Sequence, residues 1–330
     1  MQIDLRTVSI KPLRHTYGHI ERRFGDKPAS RYQEGTYDLQ PTHNFQYRPT
    51  WDPDREIFDA SRTRLKMRDW YAFRDPRQYY YGTWTLARAR QQETAESNFD
   101  FVESRNLASL LSPELLTLAL DLLLPLRHVA WGGSMNNTAI CAYGYGTAIT
   151  QPCMYHAMDH LAIAQYLTRI GLLLGDAAAL SSAKEHWLCA ADWQALRRLV
   201  EDSFVVQDWF ELYVAQNLVL DGLLYPLFYK VLVEDELSMR GGTAIAMLTQ
   251  FMTEWYAESA KWVDAQVKVA VAESPGNAAL VSDWIAGWQA RAVAALAPMA
   301  ERALGERADA VMDDLAQQFA ARLAKLGVNA

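Results

Sequence analysis

The chain has 330 residues, half of them hydrophobic, and a formal net charge of -7 at pH 7. This acidic balance excludes a nucleic-acid-binding surface, because binding to phosphates requires an excess of Lys and Arg. Three cysteines without CxxC spacing, and an N-terminus without the apolar region of a signal peptide, predict a cytoplasmic protein with reduced thiols.

The first 58 residues differ from all that follow. Five prolines interrupt a run rich in Arg, His and Tyr that has no helical stripe. This pattern predicts an extended N-terminal arm over residues 1–58 and one helical domain over residues 59–330. Disorder is the alternative for the arm, but its many aromatic residues argue against it, because disordered tails are poor in aromatics.

Helical periodicity then continues almost to the end of the chain. Three pairs, Asp75-Pro76, Ser112-Pro113 and Ser274-Pro275, place a capping residue before a proline at a first helical position. The segment from Pro113 is predicted to break at Gly132-Gly133. The other predicted helices cover residues 76–106, 147–174, 180–200, 203–233, 243–272, from 275 onward, and 306–326.

The stretch 203–233 is apolar on nearly every side, which predicts a helix buried all round. Pro226 should kink it near Gly222. No stretch alternates with the period of a strand, so the sequence predicts an all-α, ferritin-like bundle of long kinked helices. The longest apolar run contains Asp121 and Pro125, which argues against a membrane span.

Ferritin-like bundles often hold two metal ions through Glu-x-x-His motifs, and this chain contains none. The motif HAMDH places His156 and His160 one helical turn apart with Asp159 beside them, which is the best remaining metal candidate. A glutamate base is missing between the two histidines, so core or interface histidines are favoured. We therefore predict no catalytic, cofactor-binding or metal residues in this chain.

Five stretches together resemble a known family over nearly the whole chain. They are PLRHTYGHIERRFGDKPASRYQE at 12–34, NFQYRP at 44–49, DPRQYYYG at 75–82, PLRHVAWGGSMNN at 125–137 and DWFELYVAQNLVLDGLLYPLFY at 208–229. These stretches closely resemble the small (beta) hydroxylase subunit of bacterial multicomponent phenol hydroxylases. The resemblance extends more loosely to the matching subunits of toluene and methane monooxygenases.

The resemblance implies a structural subunit that supports a larger, catalytic one. In that family the alpha subunit carries the di-iron centre, and the beta subunit shares the ferritin-like fold without metal. The hydroxylase is a dimer of alpha-beta-gamma trimers. A reductase with FAD and a 2Fe-2S cluster supplies electrons from NADH, and a small regulatory protein binds transiently. The expected reaction converts phenols to catechols in the degradation of aromatic compounds.

The arm is the expected contact with the partner subunit. Its arginines can pair with carboxylates through two hydrogen bonds each, and its rings can serve as anchors. The predicted interface residues are Arg14, His15, Tyr17, His19, Arg22, Arg23, Phe24, Arg31 and Tyr32. Two alternatives stay open: these residues pack on the chain's own helices, or the chain is a free-standing metal-binding protein or enzyme that uses His156, Asp159 and His160.

Overall fold

The computed structural model describes residues 13–39 and 48–328. Within these ranges the chain is all-α, as predicted, and forms no strand. Its helices are α1 (Gly18–Phe24), α2 (Arg31–Thr36), α3 (Tyr81–Ser104), α4 (Pro113–Leu123), α5 (Leu126–Tyr143), α6 (Thr147–Leu174), α7 (Ala177–Cys189), α8 (Ala191–Ser203), α9 (Trp209–Tyr213), α10 (Asp221–Tyr225), α11 (Thr243–Leu248), α12 (Gln250–Glu273), α13 (Pro275–Leu304) and α14 (Ala308–Lys325).

The central helix runs from Trp209 to Leu237 and is buried on nearly every side, as its sequence predicts. It begins later than predicted because the Asp208 side chain accepts hydrogen bonds from the first backbone N–H groups and caps it there. Two π-helical segments, Val214–Leu220 and Pro226–Leu237, flank α10. Pro226 has no N–H, and the Gly222 carbonyl that a regular helix would pair with it accepts from Tyr256 Oη at 3.4 Å.

Several local predictions are confirmed. Helix α6 has the predicted bounds, and Ser112 and Ser274 cap α4 and α13 through hydrogen bonds from the N–H groups of Leu115 and Asn277. Three predicted helices are wrong in extent. The predicted helices 180–200 and 243–272 are each two helices, and α3 begins at Tyr81 because the Asp75 carboxylate instead accepts from Arg77 N in a turn.

The predicted break at Gly132-Gly133 is wrong, because α5 is continuous through both glycines. Both are buried, and a Cβ on Gly133 would lie 2.7 Å from the Nδ1 of His160 on α6. These glycines therefore allow close approach between two helices rather than flexibility. Residues 113–143 are apolar and long enough to suggest a membrane span, but they form two helices and 56% of the most apolar stretch is buried in the bundle, as in an ordinary core helix.

The arm is not extended throughout. The described part, residues 13–39 and 48–58, contains α1 and α2, and the remainder of the arm lies outside the described residues. Ile20, Tyr32 and Tyr37 are buried in the same hydrophobic core as the bundle. Helix α2 is stabilised at its start because Ser30 caps it in a reciprocal capping box with Gln33.

Candidate functional site

Three long helices, α3, α6 and α12, meet around Asp159, which lies on α6 and is 2% exposed. Its Oδ1 accepts hydrogen bonds from Trp84 Nε1 at 3.0 Å and Arg88 Nε at 2.7 Å. Its Oδ2 accepts from Arg88 Nη2 at 2.7 Å and Trp255 Nε1 at 3.0 Å. With two donors to each oxygen, this buried carboxylate is fully paired.

Arg88 of α3 bridges two carboxylates on different helices. Besides its paired contact with Asp159, it donates from Nη2 and Nη1 to the two carboxylate oxygens of Glu258 on α12, at 3.1 and 3.2 Å. Burial alone would lower the pKa of Arg88, but Asp159 and Glu258 raise it above the usual arginine value. The guanidinium is therefore a permanent cation at the centre of the bundle.

A second arginine extends this cluster. Arg77 donates to both carboxylate oxygens of Asp75 at 2.9 Å and to Glu258 at 3.4 Å. Its guanidinium carbon lies 4.9 Å from the ring centroid of Trp262. We call Asp75, Arg77, Arg88, Asp159 and Glu258 the arginine cluster, in which two cations are held among three carboxylates.

His156 and His160 face a different carboxylate, Asp221 of α10. The Nε2 atoms of His156 and His160 lie 3.5 and 3.2 Å from the same Asp221 oxygen, Oδ2. Burial lowers the pKa of His156 to about 4. Burial would raise the pKa of Asp221, but the two histidines hold it at about 2. His156, His160 and Asp221 form the histidine cluster.

The histidine cluster is held by α5 and the first π-helical segment. Gln216 Nε2 donates to Asp221 Oδ1 at 2.9 Å, and Gln216 Oε1 accepts from Asn136 Nδ2 at 2.8 Å. Asn137 and Asn217 exchange two hydrogen bonds of 2.9 Å beside them. The π-helical turn thus places the consecutive amides of Gln216 and Asn217 opposite α5. Each buried amide there finds the hydrogen-bond partner that it requires.

The residues at the bundle centre do not fit a di-iron site. Such a site takes a Glu from each of two helices and Glu-x-x-His from each of the other two. Here α3 contributes Arg88, a cation, where a metal ligand is required, and Glu258 of α12 is followed three residues later by Lys261. In a di-iron site, metal ions would neutralise the buried carboxylates. In this chain, guanidinium groups neutralise them instead.

The proposed metal triplet of the sequence is also wrong in one member. His156 and His160 do come together, but Asp159 turns away from them to Arg88, and Asp221 takes its place. Three donor atoms of His156, His160 and Asp221 lie within 4.8 Å of one another. However, neither histidine Nδ1 has a hydrogen-bond partner in the described parts of the chain, whereas metal-bound histidines almost always donate this second N–H to an acceptor.

The predicted arm residues fall into two groups. Tyr32 is buried, and its Oη accepts from Asp75 N at 2.9 Å. Arg23 pairs with Asp38 and Asp69 of this same chain, and Phe24 packs edge-on against Tyr37 at 5.0 Å between ring centroids. For these three residues, packing on the chain's own structure is what the geometry favours.

The other predicted arm residues are more accessible. Arg14, His15, Tyr17, Arg22 and Arg31 are exposed, and His19 is half-buried and stacks on Tyr17. Guanidinium nitrogens of Arg14 and Arg22 both lie within 4 Å of the position that a Cβ on Gly18 would take. Neither arginine forms an ion pair with any described residue. We call Arg14, Tyr17, His19 and Arg22 the arm patch.

Sequence reasoning missed Arg88, Glu258 and Asp221 as members of one centre. On α3, Trp84, Ala95 and Phe99 are buried, whereas Thr94 is exposed. A stripe drawn four residues on from Trp84 would have included Arg88. An arginine on a buried stripe was the available signal, because such a charge requires a buried partner.

Comparisons with known proteins agree with this architecture. A family model described as methane/phenol/alkene hydroxylase matches residues 51–274. The chain is 49% identical, over 99% of its length and 98% of the relative, to the phenol 2-monooxygenase oxygenase component DmpL of Pseudomonas sp. strain CF600. It is 26% identical over 72% of its length, and 71% of the relative, to the beta subunit of the toluene-4-monooxygenase hydroxylase component of Ectopseudomonas mendocina.

A solved structure extends the agreement to three dimensions. The chain superimposes on one chain of phenol hydroxylase from Pseudomonas sp. OX1 with a TM-score of 0.92 and 44% identity, covering 99% of both chains. The match supports the predicted ferritin-like fold and the predicted resemblance to phenol hydroxylases. The chain belongs to the methane, phenol and alkene hydroxylase family.

Proposed function

We propose that this chain is the structural small (beta) subunit of the hydroxylase of a multicomponent phenol monooxygenase and that it has no active site of its own. The observation that carries the proposal is 49% identity, over 99% of the chain, to an oxygenase component of phenol 2-monooxygenase. The arginine cluster supports it, because the bundle centre is filled by an internal cation. In the assembled enzyme, one atom of O2 is inserted into the phenol to give a catechol, and the other is reduced to water with two electrons from NADH.

The proposed partners are the remaining components of such a system. A larger alpha subunit holds the di-iron centre, and a gamma subunit completes an assembly of two alpha-beta-gamma units. A reductase with FAD and a 2Fe-2S cluster and a regulatory protein bind transiently. The proposed location is the cytoplasm. In this arrangement the present chain stabilises the alpha subunit through a permanent interface.

The arm patch is proposed to contact the alpha subunit. The neighbouring guanidinium groups of Arg14 and Arg22 have no carboxylate partner in the described chain. Each can donate hydrogen bonds to a carboxylate of another protein. Tyr17 is 60% exposed and offers a ring beside them. Arg23, Phe24 and Tyr32 are not part of the proposed contact, because they pair or pack with this chain's own residues as described above.

Co-expression with a neighbouring gene product that contains two Glu-x-x-His motifs tests the proposal. We expect the two chains to co-purify, and phenol-dependent NADH oxidation by the reconstituted system to require both. The present chain alone should show no such activity. Failure of the two chains to associate, or full activity without the present chain, would contradict the proposed function.

Point variants then test the arm patch. Replacing Arg14, Tyr17 and Arg22 together with Ala should weaken association roughly thirtyfold or more, because even one interface Arg or Tyr anchor commonly contributes about 2 kcal/mol or more. Arg240→Ala, which removes an exposed arginine far along the chain, is the matched control. Deletion of residues 1–55 is a poorer test, since it also removes the buried Ile20 and Tyr37 from the core.

A further inference from the structure

Two tryptophans on different helices share one buried carboxylate. Trp84 of α3 donates its Nε1–H to Asp159 Oδ1, and Trp255 of α12 donates its Nε1–H to Asp159 Oδ2, both at 3.0 Å. Trp84 is 9% exposed, and Trp255 is fully buried. We call Trp84, Asp159 and Trp255 the Trp–Asp–Trp unit.

Other buried tryptophans of the described chain are placed differently. The Nε1–H groups of four of them have no hydrogen-bond partner among the described residues: Trp193, Trp209, Trp262 and Trp284. A fifth, Trp288, donates to Glu211 Oε1 at 3.2 Å, but the side chain of Glu211 is 24% exposed. The Trp–Asp–Trp unit therefore combines a buried carboxylate with two indole donors, a combination that none of these five tryptophans has.

The charges around the unit favour an additional positive charge. The arginine cluster, to which Asp159 belongs, contains one more carboxylate than guanidinium groups. Arg88 alone would oppose a further cation, but its charge is already matched by Asp159 and Glu258. In an interior of low dielectric constant, the excess carboxylate therefore stabilises a positive charge that forms beside it.

An oxidised indole is such a charge. Indole and phenol rings are among the side chains that lose a single electron most readily, and the indole radical cation has an acidic N–H. A carboxylate that already accepts this N–H can take a share of its proton as the electron leaves. The surroundings of Trp84 and Trp255 therefore lower the cost of removing one electron from either ring.

Aromatic rings connect the unit to the surface. Tyr81, one turn before Trp84 on α3, is 68% exposed, and the centroids of the two rings are 6.5 Å apart. On the buried side, Trp255 stacks on His156 at 4.7 Å and contacts Tyr225 at 4.9 Å between ring centroids. Rings at these separations allow an electron to move in short steps. An oxidant at the surface can thus draw an electron from the interior through Tyr81.

We propose that the Trp–Asp–Trp unit is a site of reversible one-electron oxidation that exchanges electrons with an outer-sphere oxidant through Tyr81. The oxidant takes one electron from Tyr81 and is reduced, and the phenolic proton passes to solvent. Trp84 then reduces the Tyr81 radical, which recovers a proton from solvent, and Trp255 in turn reduces oxidised Trp84. Each oxidised indole shares its N–H proton with Asp159, so the net change is the loss of one electron from the unit.

The unit is a property of this chain alone, whereas its use rests on the proposed function. In an enzyme that reduces O2, some oxidising equivalents escape the intended reaction and damage side chains. A buried indole that loses an electron reversibly can hold such an equivalent until a soluble thiol at the surface returns the electron through Tyr81. The inferred role is therefore protection of the assembly from oxidation.

The experiment places a photochemical oxidant beside Tyr81 in the full chain. Thr85→Cys, at an exposed position one turn after Tyr81, carries a ruthenium polypyridyl complex, with Cys141→Ser and Cys189→Ser preventing attachment elsewhere. A light pulse in the presence of an electron acceptor produces ruthenium(III). Transient absorption and electron paramagnetic resonance should then show a tryptophan radical.

Two variants of this labelled chain identify the radical. Trp84→Phe should abolish the tryptophan signal and leave only a tyrosine radical, because the connection between Tyr81 and Trp255 is removed. Trp288→Phe is the matched control, since Trp288 also donates to a carboxylate but lies on α13, and its removal should leave the signal unchanged. An equal tryptophan signal in Trp84→Phe and the labelled parent chain would overturn the inference.

A second measurement does not depend on Trp84→Phe folding. When the labelled parent chain is illuminated in the presence of O2, tryptophan radicals are converted to kynurenine-type products, which peptide mass spectrometry locates. These products should accumulate at Trp84 and Trp255 and not at Trp193, which is as fully buried as Trp255 but lacks a hydrogen-bond partner in the described chain. Oxidation of Trp193 to the same extent as Trp255 would contradict the inference.

The outcomes separate this inference from the proposed function. Both measurements use the free chain, so they do not depend on its association with a larger subunit. A chain that associates but forms no radical that depends on Trp84 loses this inference alone. A chain that forms the radical but does not associate loses the proposed function alone.

Discussion

Two buried polar clusters lie side by side in this bundle, and they differ in how completely their polar atoms are paired. In the arginine cluster, Asp159 accepts four hydrogen bonds, and Arg88 uses Nε, Nη1 and Nη2 as donors. In the histidine cluster, the Nδ1 atoms of His156 and His160 have no partner among the described residues. The arginine cluster is fully paired at Asp159, whereas the histidine cluster keeps imidazole nitrogens without a partner in the described part of the chain.

The difference shows how a ferritin-like bundle can pair the charges at its centre with its own side chains. Helices α6, α10 and α12 direct carboxylates and imidazoles toward the interior of the bundle, as ferritin-like bundles do. A guanidinium on α3 supplies the positive charge that carboxylates at this depth require. The histidines are left beside a single carboxylate, Asp221.

Removing the internal cation should have the largest effect. Arg88→Ala leaves Asp159 buried without a counter-charge, so the free energy of unfolding should fall by about 3–5 kcal/mol. Thermal and urea unfolding followed by circular dichroism measure the loss. Arg90→Ala, at an exposed position on the same helix, should change stability by less than about 0.5 kcal/mol. Similar losses of stability in both variants would show that pairing of Asp159 by Arg88 does not stabilise the fold.

Acid should weaken the histidine cluster over a defined range. The folded-state pKa of His156, about 4, is below its ordinary value of 6.5, so the unfolded chain binds this proton more readily. Protonation of His156 should therefore lower the free energy of unfolding by roughly 3 kcal/mol as the pH drops from 6.5 to 4. The depressed pKa of Asp221 adds a further loss only between its ordinary 3.8 and about 2.

The variant His156→Phe isolates the first of these two contributions. Phenylalanine can stack on Trp255 as His156 does, at 4.7 Å between ring centroids, but it cannot take up a proton. Melting temperatures measured from pH 7 to pH 4 should therefore fall less steeply than in the unaltered chain. His128, whose pKa burial also lowers to about 4, keeps part of the slope. An unchanged slope in the variant would contradict the assignment to His156.

A smaller loss is expected when one of the four donors to Asp159 is removed. Trp84→Phe keeps the ring that stacks on Tyr155 at 5.2 Å but deletes the Nε1–H. Because a hydrogen bond to a charged group contributes about 1.5–3 kcal/mol, the loss should be about 2 kcal/mol. Trp131→Phe, at a half-exposed ring, serves as the control in unfolding experiments on the free chain. A loss as large as that of Arg88→Ala would mean that ring packing dominates.

The sequence predicts what depends on near neighbours along the chain. The bounds of α6 and the serine caps of α4 and α13 follow from local rules. The arginine cluster cannot be predicted in this way, because Arg88 and Asp159 are 71 residues apart. No pattern in the sequence near either residue indicates that the two form an ion pair. Likewise His160 and Asp221 are 61 residues apart.

Glycines and the arm show the same limit in another form. Gly132 and Gly133 read locally as a break, but their role is set by the closeness of Val200 and His160, which come from other helices. The prolines of the arm predict an extended segment. Ile20 and Tyr37 are nevertheless buried, because the helices of the bundle supply the core into which they pack. Tertiary contacts therefore decide features that local composition leaves open.

The smallest expected effect is that of metal removal, for which we predict no change. The chain purified alone should contain no stoichiometric iron or zinc, and EDTA should leave its melting temperature unaltered. His156, His160 and Asp221 supply only three possible metal ligands, and the histidine Nδ1 atoms lack the hydrogen-bond acceptors that metal-bound histidines usually have. Asp159, the fourth candidate ligand, is bound by Arg88. Elemental analysis measures the metal content. One tightly bound ion per chain, lost in the double variant His156→Ala and His160→Ala, would contradict this prediction and favour the metal-binding alternative.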